Sequence, residues 1–269
     1  MLKRTVKACL ARSGYEMHKL SHEPLALYQG YAQESLTTKR FYNVGAGLFF
    51  HRYWTNIDFA SEWYRPRQGH PFVNFDLTSL EPLPIKDSSA EIIYSSHTIE
   101  HISDEAAAHL LSECRRSLVP GGIVRLTMPD FDLARRAFRR GDHFFFLSIG
   151  MSKSLPQCFL QFFASQLTLL SPARAPRKFS DAEIISMFDR GEPEELLNHL
   201  TSLCAFDPEF PASHINWWTY KKADRFLREA GFTTVYRSGY GQSAALPLRN
   251  TRLFDNTYPQ MSMYVEAVV

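Results

Sequence analysis

Short apolar runs alternate with polar segments along the first half of this chain, and their spacing predicts an α/β fold. Five runs rich in β-branched and aromatic side chains predict strands at 40–44, 54–57, 71–75, 91–96 and 123–128. Between the last two runs, apolar positions from Ala106 to Leu118 recur with helical spacing, and Pro120-Gly121-Gly122 is expected to end that helix. This alternation favours a parallel sheet with helices packed on it.

Glycine and aspartate residues stand where the first three strands end. Gly45 and Gly47 follow the first strand, Asp58 ends the second, and Asp76 ends the third. Glycine lets a backbone approach a ligand closely, because it has no Cβ to collide. A carboxylate at the end of the second strand can accept hydrogen bonds from a ribose diol, and the next acid can accept from an exocyclic amine. The pattern predicts a site for an adenosine-containing cofactor at the carboxyl edge of the sheet.

The spacing of the glycines narrows the choice of cofactor. A dinucleotide fingerprint needs Gly-x-Gly-x-x-Gly, but the sixth position of this turn is Phe50. The sequence also lacks the Gly-x-x-x-x-Gly-Lys loop that would cradle a triphosphate. A cofactor without phosphate groups fits such a turn better, and S-adenosylmethionine is a cofactor of this kind.

The motifs as a set resemble those of a known family, the class I S-adenosylmethionine-dependent methyltransferases of the broad methyltransferase type 11 group. The segments that carry the resemblance are YNVGAG, NIDF, NFDL, LPIKDSSAEIIYSSHTIEH and RRSLVPGGIVRLTMPD. It covers residues 40–132 closely and resumes at 220–236 and 261–268. It implies a doubly wound, Rossmann-like sheet of about seven strands with a helical insertion.

The resemblance also implies roles for residues at the strand ends. The methionine part of the cofactor would lie against Gly45 and Gly47, the ribose against Asp58, and the adenine against Asp76 and Leu77. The residues expected to face the transferred methyl group are Ser95, Ser96 and His97.

Three features depart from the family pattern. Asn43 stands where an acid is usual, and Ala46 stands where cysteine is frequent. Only ten residues, Gly45 to Trp54, link the first two strands, which is close to the minimum for a βαβ crossover. The first helix is therefore expected to be short or absent, which would leave that side of the cofactor site more open.

Four parts are expected along the chain: an N-terminal helix and linker at 1–39, a cofactor-binding core at 40–135, a helical insertion at 136–212, and the rest of the core at 213–269. The first twenty residues suit a basic amphipathic helix, which could dock on its own domain or touch an anionic membrane surface. Residues 21–39 are expected to be irregular.

The insertion is rich in phenylalanine between 144 and 170, and Ser180-Asp181-Ala182-Glu183 forms a capping box that predicts a helix start. Two interpretations stay open for this region. It is either a lid over the acceptor pocket or a set of helices packed for stability alone.

Candidate chemistry centres on His97-Thr98-Ile99-Glu100-His101. His97 lies at a strand tip and is the candidate base for removing a proton from the acceptor, with Asp130 as the second candidate. The segment also matches His-x-x-Glu-His, an inverted zinc-protease motif. Since no convincing third ligand follows at an expected place, we expect no metal site.

Composition excludes several classes of function. The net charge is +2, with 30 basic and 28 acidic residues, which gives no electrostatic case for nucleic acid. Four widely spaced cysteines suggest free thiols in a reducing compartment. Neither an apolar signal segment nor a membrane span is expected, so the expected location is cytoplasmic.

These observations predict methyl transfer from S-adenosylmethionine to a small-molecule or glycan acceptor, lipid-linked or free, at a hydroxyl group. The glycan preference follows from the resemblance alone. The alternatives are a non-catalytic protein that binds S-adenosylmethionine and a partner, and a zinc hydrolase that uses the HTIEH segment.

Overall fold

A computed structural model of the protein describes residue 13 and residues 25–64, 70–148, 150, 153–189, 191 and 194–269. The chain divides into two compact units, Met1–Ala32 and Gln33–Val269. Apart from residue 13, the amphipathic helix predicted for residues 1–20 lies outside the described residues. In the first unit a single turn of 3-10 helix covers Leu25–Tyr28.

The second unit is built on a seven-stranded sheet with the order β3-β2-β1-β4-β5-β7-β6. The strands are β1 (Phe41–Val44), β2 (Trp54–Asp58), β3 (Val73–Asn74), β4 (Ala90–Ser96), β5 (Leu118–Pro129), β6 (Thr234–Ser238) and β7 (Ser262–Val268). The strands β1 to β5 pair in parallel, whereas β7 runs antiparallel to both β5 and β6. This arrangement confirms the predicted Rossmann-like sheet.

The helices of this unit are α1 (Gln33–Thr37), α2 (Asp104–Ser117), α3 (Phe131–Arg139), α4 (His143–Leu147), α5 (Leu155–Gln161), α6 (Asp181–Asp189), α7 (Glu194–Ser202) and α8 (Tyr220–Glu229). The sequence predicted an irregular segment at residues 21–39. The structure instead contains the helix α1 and the 3-10 turn Leu25–Tyr28 in this segment. None of the helices among the described residues has the length and hydrophobicity needed to cross a membrane.

The helix α2 begins at the predicted place but ends earlier than its glycines suggested. The Ser103 hydroxyl accepts a hydrogen bond from the amide of Ala106 and so caps the N-terminus. Leu118 follows the last turn in extended conformation, and its amide donates to the carbonyl of Cys114. Gly121, with φ of 79°, instead lies within β5, and its amide donates to the carbonyl of Val269. The prediction that the glycines cap the helix was wrong, because both glycines belong to β5 and Gly121 is hydrogen-bonded to Val269.

The sheet is covered differently on its two faces. Side chains of α2 and α8 pack on one face, in a core that includes Val44, Ile93 and Val124. Residues 45–53, all of which the structure describes, contain no helix, and this confirms the prediction of a short or absent first helix. The aromatic ring of Phe254 packs instead against Trp54 and Tyr94, with ring centroids 4.8 and 5.1 Å apart. A loop between β6 and β7 therefore replaces the missing helix.

A buried ion cluster holds that loop on the sheet. Arg125 projects from β5 and contacts Asp255 in the loop at 2.6 Å and Glu266 on β7 at 2.8 Å. The three side chains are fully buried. The guanidinium fork satisfies both carboxylates, which keeps the cost of burying these charges low.

The insertion has a hydrophobic core of its own. The rings of Phe159 and Phe138 stack at 4.4 Å, and the ring of Phe188 lies 4.9 Å from that of Phe159. The fully or nearly fully buried side chains of this core include Phe131, Phe146, Phe159, Phe162, Phe163, Leu167 and Trp217. The phenylalanines expected to cover an acceptor pocket are therefore mainly core residues, and they stabilise the insertion against α3.

Candidate functional site

A cleft of about 1040 Å³ opens at the carboxyl ends of the parallel strands. This volume reaches the upper end of the range of ligand pockets, roughly 300–1,000 Å³. Most of the predicted site residues line the cleft: Gly45, Gly47, Asp58, Asp76, Leu77, Ser96 and His97. The structure thus brings residues from four separate segments into one wall.

The glycine turn is tied directly to the second strand. The amide of Gly47 donates a hydrogen bond of 2.8 Å to Oδ2 of Asp58, and the amide of Gly45 donates to the carbonyl of Ile57. Both glycines have positive φ, 72° at Gly45 and 54° at Gly47. A Cβ on Gly45 would lie 2.1 Å from the hydroxyl of Thr98, so this position requires glycine for packing as well as conformation.

Each of the two aspartates is held by the backbone around it. Asp58 Oδ1 accepts a hydrogen bond of 2.8 Å from the amide of Phe59, which together with Gly47 orients the carboxylate. Asp76 accepts from both the amide and the hydroxyl of Thr78 and so caps the 3-10 turn Leu77–Ser79. These bonds orient both acids before any ligand binds.

The two serines of β4 point in different directions, because neighbouring residues of a strand alternate between faces. Ser96 lines the cleft, and its hydroxyl lies 2.7 Å from that of Thr127. Ser95 does not line the cleft, and its buried hydroxyl finds no hydrogen-bond partner in the described part of the chain. The predicted place of Ser95 facing a methyl group is therefore not where the structure puts it.

Asn43 is a cleft residue that the sequence marked only as a departure from the family pattern. Its side chain is buried and lines the cleft, and its Oδ1 has no hydrogen-bond partner among the described residues. A buried acceptor without a donor is costly unless a ligand or water supplies one. The cleft thus combines an orphaned acceptor with glycines and two oriented carboxylates, a set that fits an adenosine cofactor with an amino-acid tail.

His97 stands at the tip of β4 with a backbone φ of 51°, an unusual conformation for a residue other than glycine. Its Nδ1 lies 3.0 Å from Oε1 of Glu100, and its Nε2 lies 2.7 Å from the hydroxyl of Ser262. An ionised carboxylate only accepts, so the contact with Glu100 favours a proton on Nδ1. The Ser262 hydroxyl has one proton, which it can give either to Nε2 or to the carbonyl of Tyr258 at 2.8 Å. In a neutral ring with its proton on Nδ1, Nε2 keeps the lone pair that a base at the cleft wall would need.

Asp130, the second candidate base, lies outside the cleft. Its Oδ1 accepts from the amide of Leu133 at the start of α3, and its Oδ2 contacts the guanidinium of Arg237 at 2.6 Å. Both oxygens are engaged in structural contacts. The geometry therefore assigns Asp130 to capping a helix, and it does not bring this residue together with His97.

Glu100 is a buried carboxylate next to three histidines, one of which the sequence did not connect with it. His97 and His101 come from the same motif, whereas His214 arrives from the segment before α8. Burial alone would raise the pKa of Glu100, but the neighbouring His97, His101 and His214 lower it to about 2. Burial lowers the pKa of His214 to about 4, with a further contribution from His101.

The segment 213–218 has the sequence Ser-His-Ile-Asn-Trp-Trp and matches none of the motifs described above. Local residue spacing could not have linked His214 to Glu100, because the two residues are far apart in the chain and are brought together by hydrogen bonds between backbone segments. The amides of Ile215 and Asn216 both donate to the carbonyl of Glu100, at 2.9 and 3.1 Å.

The far side of the cleft is formed by parts of the chain with no recognised motif. Phe206, Pro211 and Ala212 come from the end of the insertion, and Asn256 and Tyr258 come from the loop before β7. A second cavity of about 380 Å³ shares His97, Ala212 and Tyr258 with the main cleft. These residues enclose space next to His97 that a second ligand can enter.

Comparisons with known proteins find similarity to methyltransferases. A family model described as "Methyltransferase domain" matches residues 46–126, which run from the glycine turn into β5. A probable S-adenosylmethionine-dependent methyltransferase of Mycolicibacterium smegmatis is 34% identical over 64 residues, 24% of this chain and 24% of that protein. An uncharacterized 37.1 kDa protein in a transposon of Streptomyces fradiae is 34% identical over 68 residues, 25% of this chain and 19% of that protein.

The chain thus matches less than a quarter of the length of either curated relative. Among solved structures, an S-adenosylmethionine-dependent methyltransferase from Mesorhizobium loti is 16% identical, with a TM-score of 0.40 and coverage of 93% of this chain and 99% of that one. One from Archaeoglobus fulgidus is 11% identical, with a TM-score of 0.43 and coverage of 99% and 94%.

The matched residues include Gly47, both strand-end aspartates and β4, which leads into His97. This match confirms the resemblance that the motifs indicated. Residues 46–126 thus match a methyltransferase domain model, and part of the chain is similar to a probable S-adenosylmethionine-dependent methyltransferase.

Proposed function

We propose that the protein transfers a methyl group from S-adenosylmethionine to a hydroxyl group of a small-molecule or glycan acceptor. The observation that carries this proposal is the shared cleft, where the glycine turn, Asp58 and Asp76 lie on one side and His97 stands beside a second enclosed space. A transferase for two substrates needs such adjoining spaces, because positioning supplies much of the rate.

The cofactor would be held by residues that are already oriented. Gly45 and Gly47 would lie along its methionine part, Asp58 would accept from the ribose hydroxyls, and Asp76 and Leu77 would border the adenine. When bound, S-adenosylmethionine supplies an electrophilic methyl group on a positively charged sulfur. The orphaned Oδ1 of Asn43 would accept a hydrogen bond in the same cleft.

The acceptor would lie on the side formed by the insertion and the last loop. His97 would take the hydroxyl proton at Nε2, exchanging its present contact with the Ser262 hydroxyl for one with the acceptor. Glu100 would hold Nδ1 and so fix the tautomer, as the acid does in a hydrolase triad. The aromatic rings of Phe206 and Tyr258 offer flat apolar surfaces of the kind on which sugar rings pack.

The domain boundaries follow the same proposal. Residues 40–135 and 213–269 would form the catalytic core, and the insertion would contribute to the acceptor side through residues 206–212. The phenylalanine core of the insertion would serve as the support for that edge.

The acceptor can be sought by labelled methyl transfer. The full chain is incubated with S-adenosylmethionine labelled in its methyl group and with cell extract, which is then separated into lipid-linked, carbohydrate and small-molecule pools. We expect label in one of these pools in a form that resists alkaline hydrolysis, as a methyl ether does and a methyl ester does not. The variant His97→Gln should reduce the rate by about 10²- to 10⁴-fold while cofactor affinity stays within about threefold.

Two results would contradict the proposal. If label transfer were no greater than with heat-inactivated protein, the protein would not have the proposed methyltransferase activity. If the label were released by alkali, or found only on nitrogen, the protein would still be a methyltransferase, but its acceptor atom would not be a hydroxyl oxygen.

A further inference from the structure

Three side chains next to the cleft present hydrogen-bond acceptors to one another. A carboxylate oxygen of Glu100 and one ring nitrogen each of His101 and His214 lie within 4.8 Å of one another. The Glu100 side chain is only 1% exposed, and neither of its oxygens accepts a well-aligned hydrogen bond from a described residue. Its closest polar contacts are Nδ1 of His97 at 3.0 Å and Nε2 of His101 at 3.9 Å.

The other ring nitrogens of the two histidines show where their protons are. Nδ1 of His101 lies 3.0 Å from the carbonyl of Ser213, and Nδ1 of His214 lies 2.8 Å from the carbonyl of Phe162. A carbonyl can only accept, so each Nδ1 carries a proton and each neutral ring keeps its lone pair on Nε2. This is the arrangement of metal-binding histidines, whose second nitrogen donates to a carbonyl or carboxylate.

We propose that Glu100, His101 and His214 bind a divalent transition-metal ion at this place, with Zn²⁺ the ion best matched to the ligands. Three acceptors that face one another without a proton between them repel, and a cation removes that repulsion. Two imidazoles and one carboxylate with an open fourth position form a ligand set found in catalytic zinc sites. This inference goes beyond the proposed methyl transfer and uses none of the proposed cofactor contacts.

The distances are compatible with a cation after small side-chain rotations. Ligands at about 2.0–2.2 Å in tetrahedral geometry lie roughly 3.4 Å from one another. The observed separations of up to 4.8 Å therefore need to contract by about 1.4 Å at most. The two rings lie 4.9 Å apart at 74°, so both can turn an edge toward a common point.

The backbone holds the third ligand in place without any ion. The amides of Ile215 and Asn216 donate to the carbonyl of Glu100, and the amide of Ser165 donates to the carbonyl of His214 at 2.9 Å. These bonds join the insertion, the HTIEH turn and the segment before α8. A site built on such fixed elements is preorganised for its ligand.

The cluster can be reached from both cavities. His101 lines the main cleft and His214 lines the second cavity, and the two cavities meet at His97. A cation there would stand beside the space proposed for the acceptor and could hold an acceptor oxygen at its open position. That last role rests on the proposed function, whereas metal binding does not.

Cobalt binding tests the site directly. The full chain is purified without a chelating tag, freed of metal by dialysis against chelator, and titrated with Co²⁺, whose visible absorption reports nitrogen and oxygen coordination. We expect one equivalent to bind, and an equal amount of Zn²⁺ to displace it. The variants His214→Ala and Glu100→Gln should weaken binding by at least about 100-fold, because loss of a ligand costs more than loss of a supporting residue. The exposed His199 on α7 provides the matched control, and His199→Ala should bind like the wild type.

Circular dichroism and thermal unfolding of each variant show whether it is folded. If His214→Ala does not fold, Glu100→Gln, which is nearly isosteric, decides the matter alone. Absence of Co²⁺ and Zn²⁺ binding by the wild type would overturn the proposal. Binding that survives both Glu100→Gln and His214→Ala would overturn it equally. These measurements need no acceptor, so failure to detect methyl transfer leaves them unaffected.

Discussion

The amide of Gly47 donates a 2.8 Å hydrogen bond to the carboxylate of Asp58, and this bond joins the glycine turn after β1 to the end of β2. The backbone around the carboxylate therefore holds it in one orientation. A rigid acceptor loses less entropy on binding, so the ribose contact proposed for Asp58 should contribute strongly to affinity.

Replacement of Asp58 by alanine tests this contact. A hydrogen bond to a charged group contributes about 1.5–3 kcal/mol, so Asp58→Ala should weaken binding of S-adenosylmethionine by about 10- to 100-fold. Isothermal titration calorimetry measures the change. Asp87→Ala is the control, because Asp87 is mostly exposed and precedes the amino end of β4, whereas the cleft opens at the carboxyl ends of the strands. The Asp87→Ala variant should bind the cofactor with wild-type affinity. Unchanged affinity of the Asp58→Ala variant for S-adenosylmethionine would contradict the proposed contact between Asp58 and the ribose.

Asp130 should act on stability and have little effect on cofactor binding. Asp130→Ala removes the cap of α3 and should lower the free energy of unfolding by about 1 kcal/mol. Asp130→Asn keeps a good capping side chain and should lose less. Urea unfolding measures the free energy of unfolding of each variant, and calorimetry measures its affinity for the cofactor. A large loss of methyl transfer in the stably folded Asp130→Asn variant would instead restore Asp130 as a candidate base.

Arg125 should be essential for the loop that covers one face of the sheet. Arg125→Ala leaves Asp255 and Glu266 buried without a counter-charge, which should cost about 3–5 kcal/mol of unfolding free energy. Arg228→Ala is the control, because Arg228 is half exposed and its ion pair is an i, i+4 contact with Asp224 on one helix. Chemical denaturation of the two variants should therefore give clearly different midpoints, and equal midpoints would contradict the structural role of Arg125.

The phenylalanines of the insertion should contribute to stability according to their burial. Phe159→Ala should destabilise the protein by about 3–5 kcal/mol, whereas Phe144→Ala, at a side chain that is 77% exposed, should change stability by less than about 0.5 kcal/mol. Deletion of residues 144–170 should unfold the domain and abolish cofactor binding. A deletion variant that still bound S-adenosylmethionine would show that this region is a dispensable lid.

Local patterns in the sequence were sufficient to predict the sheet and the group of residues proposed to hold the cofactor. The strand ends at Val44, Asp58 and Ser96 follow from short apolar runs and from the Gly-x-Gly turn, which depend on neighbouring residues. The short link after Gly45 also predicted that the first helix would be short or absent. Parallel strands bring their carboxyl ends to one edge, so the sequence was sufficient to predict that Gly47, Asp58 and Asp76 lie close together.

Only the tertiary structure decided the remaining contacts, because they join residues that are far apart in the chain. Spacing within the HTIEH motif offered two histidines and no third ligand, and backbone bonds from residues 215 and 216 brought His214 beside Glu100. The resemblance implied that both Ser95 and Ser96 face the methyl group, whereas the structure places Ser96 on the cleft and Ser95 away from it. A composition rich in phenylalanine indicated that the insertion was apolar, but burial against α3 showed which surface those rings cover. Sequence patterns report the periodicity of a segment, whereas contacts between segments depend on packing that no single segment contains.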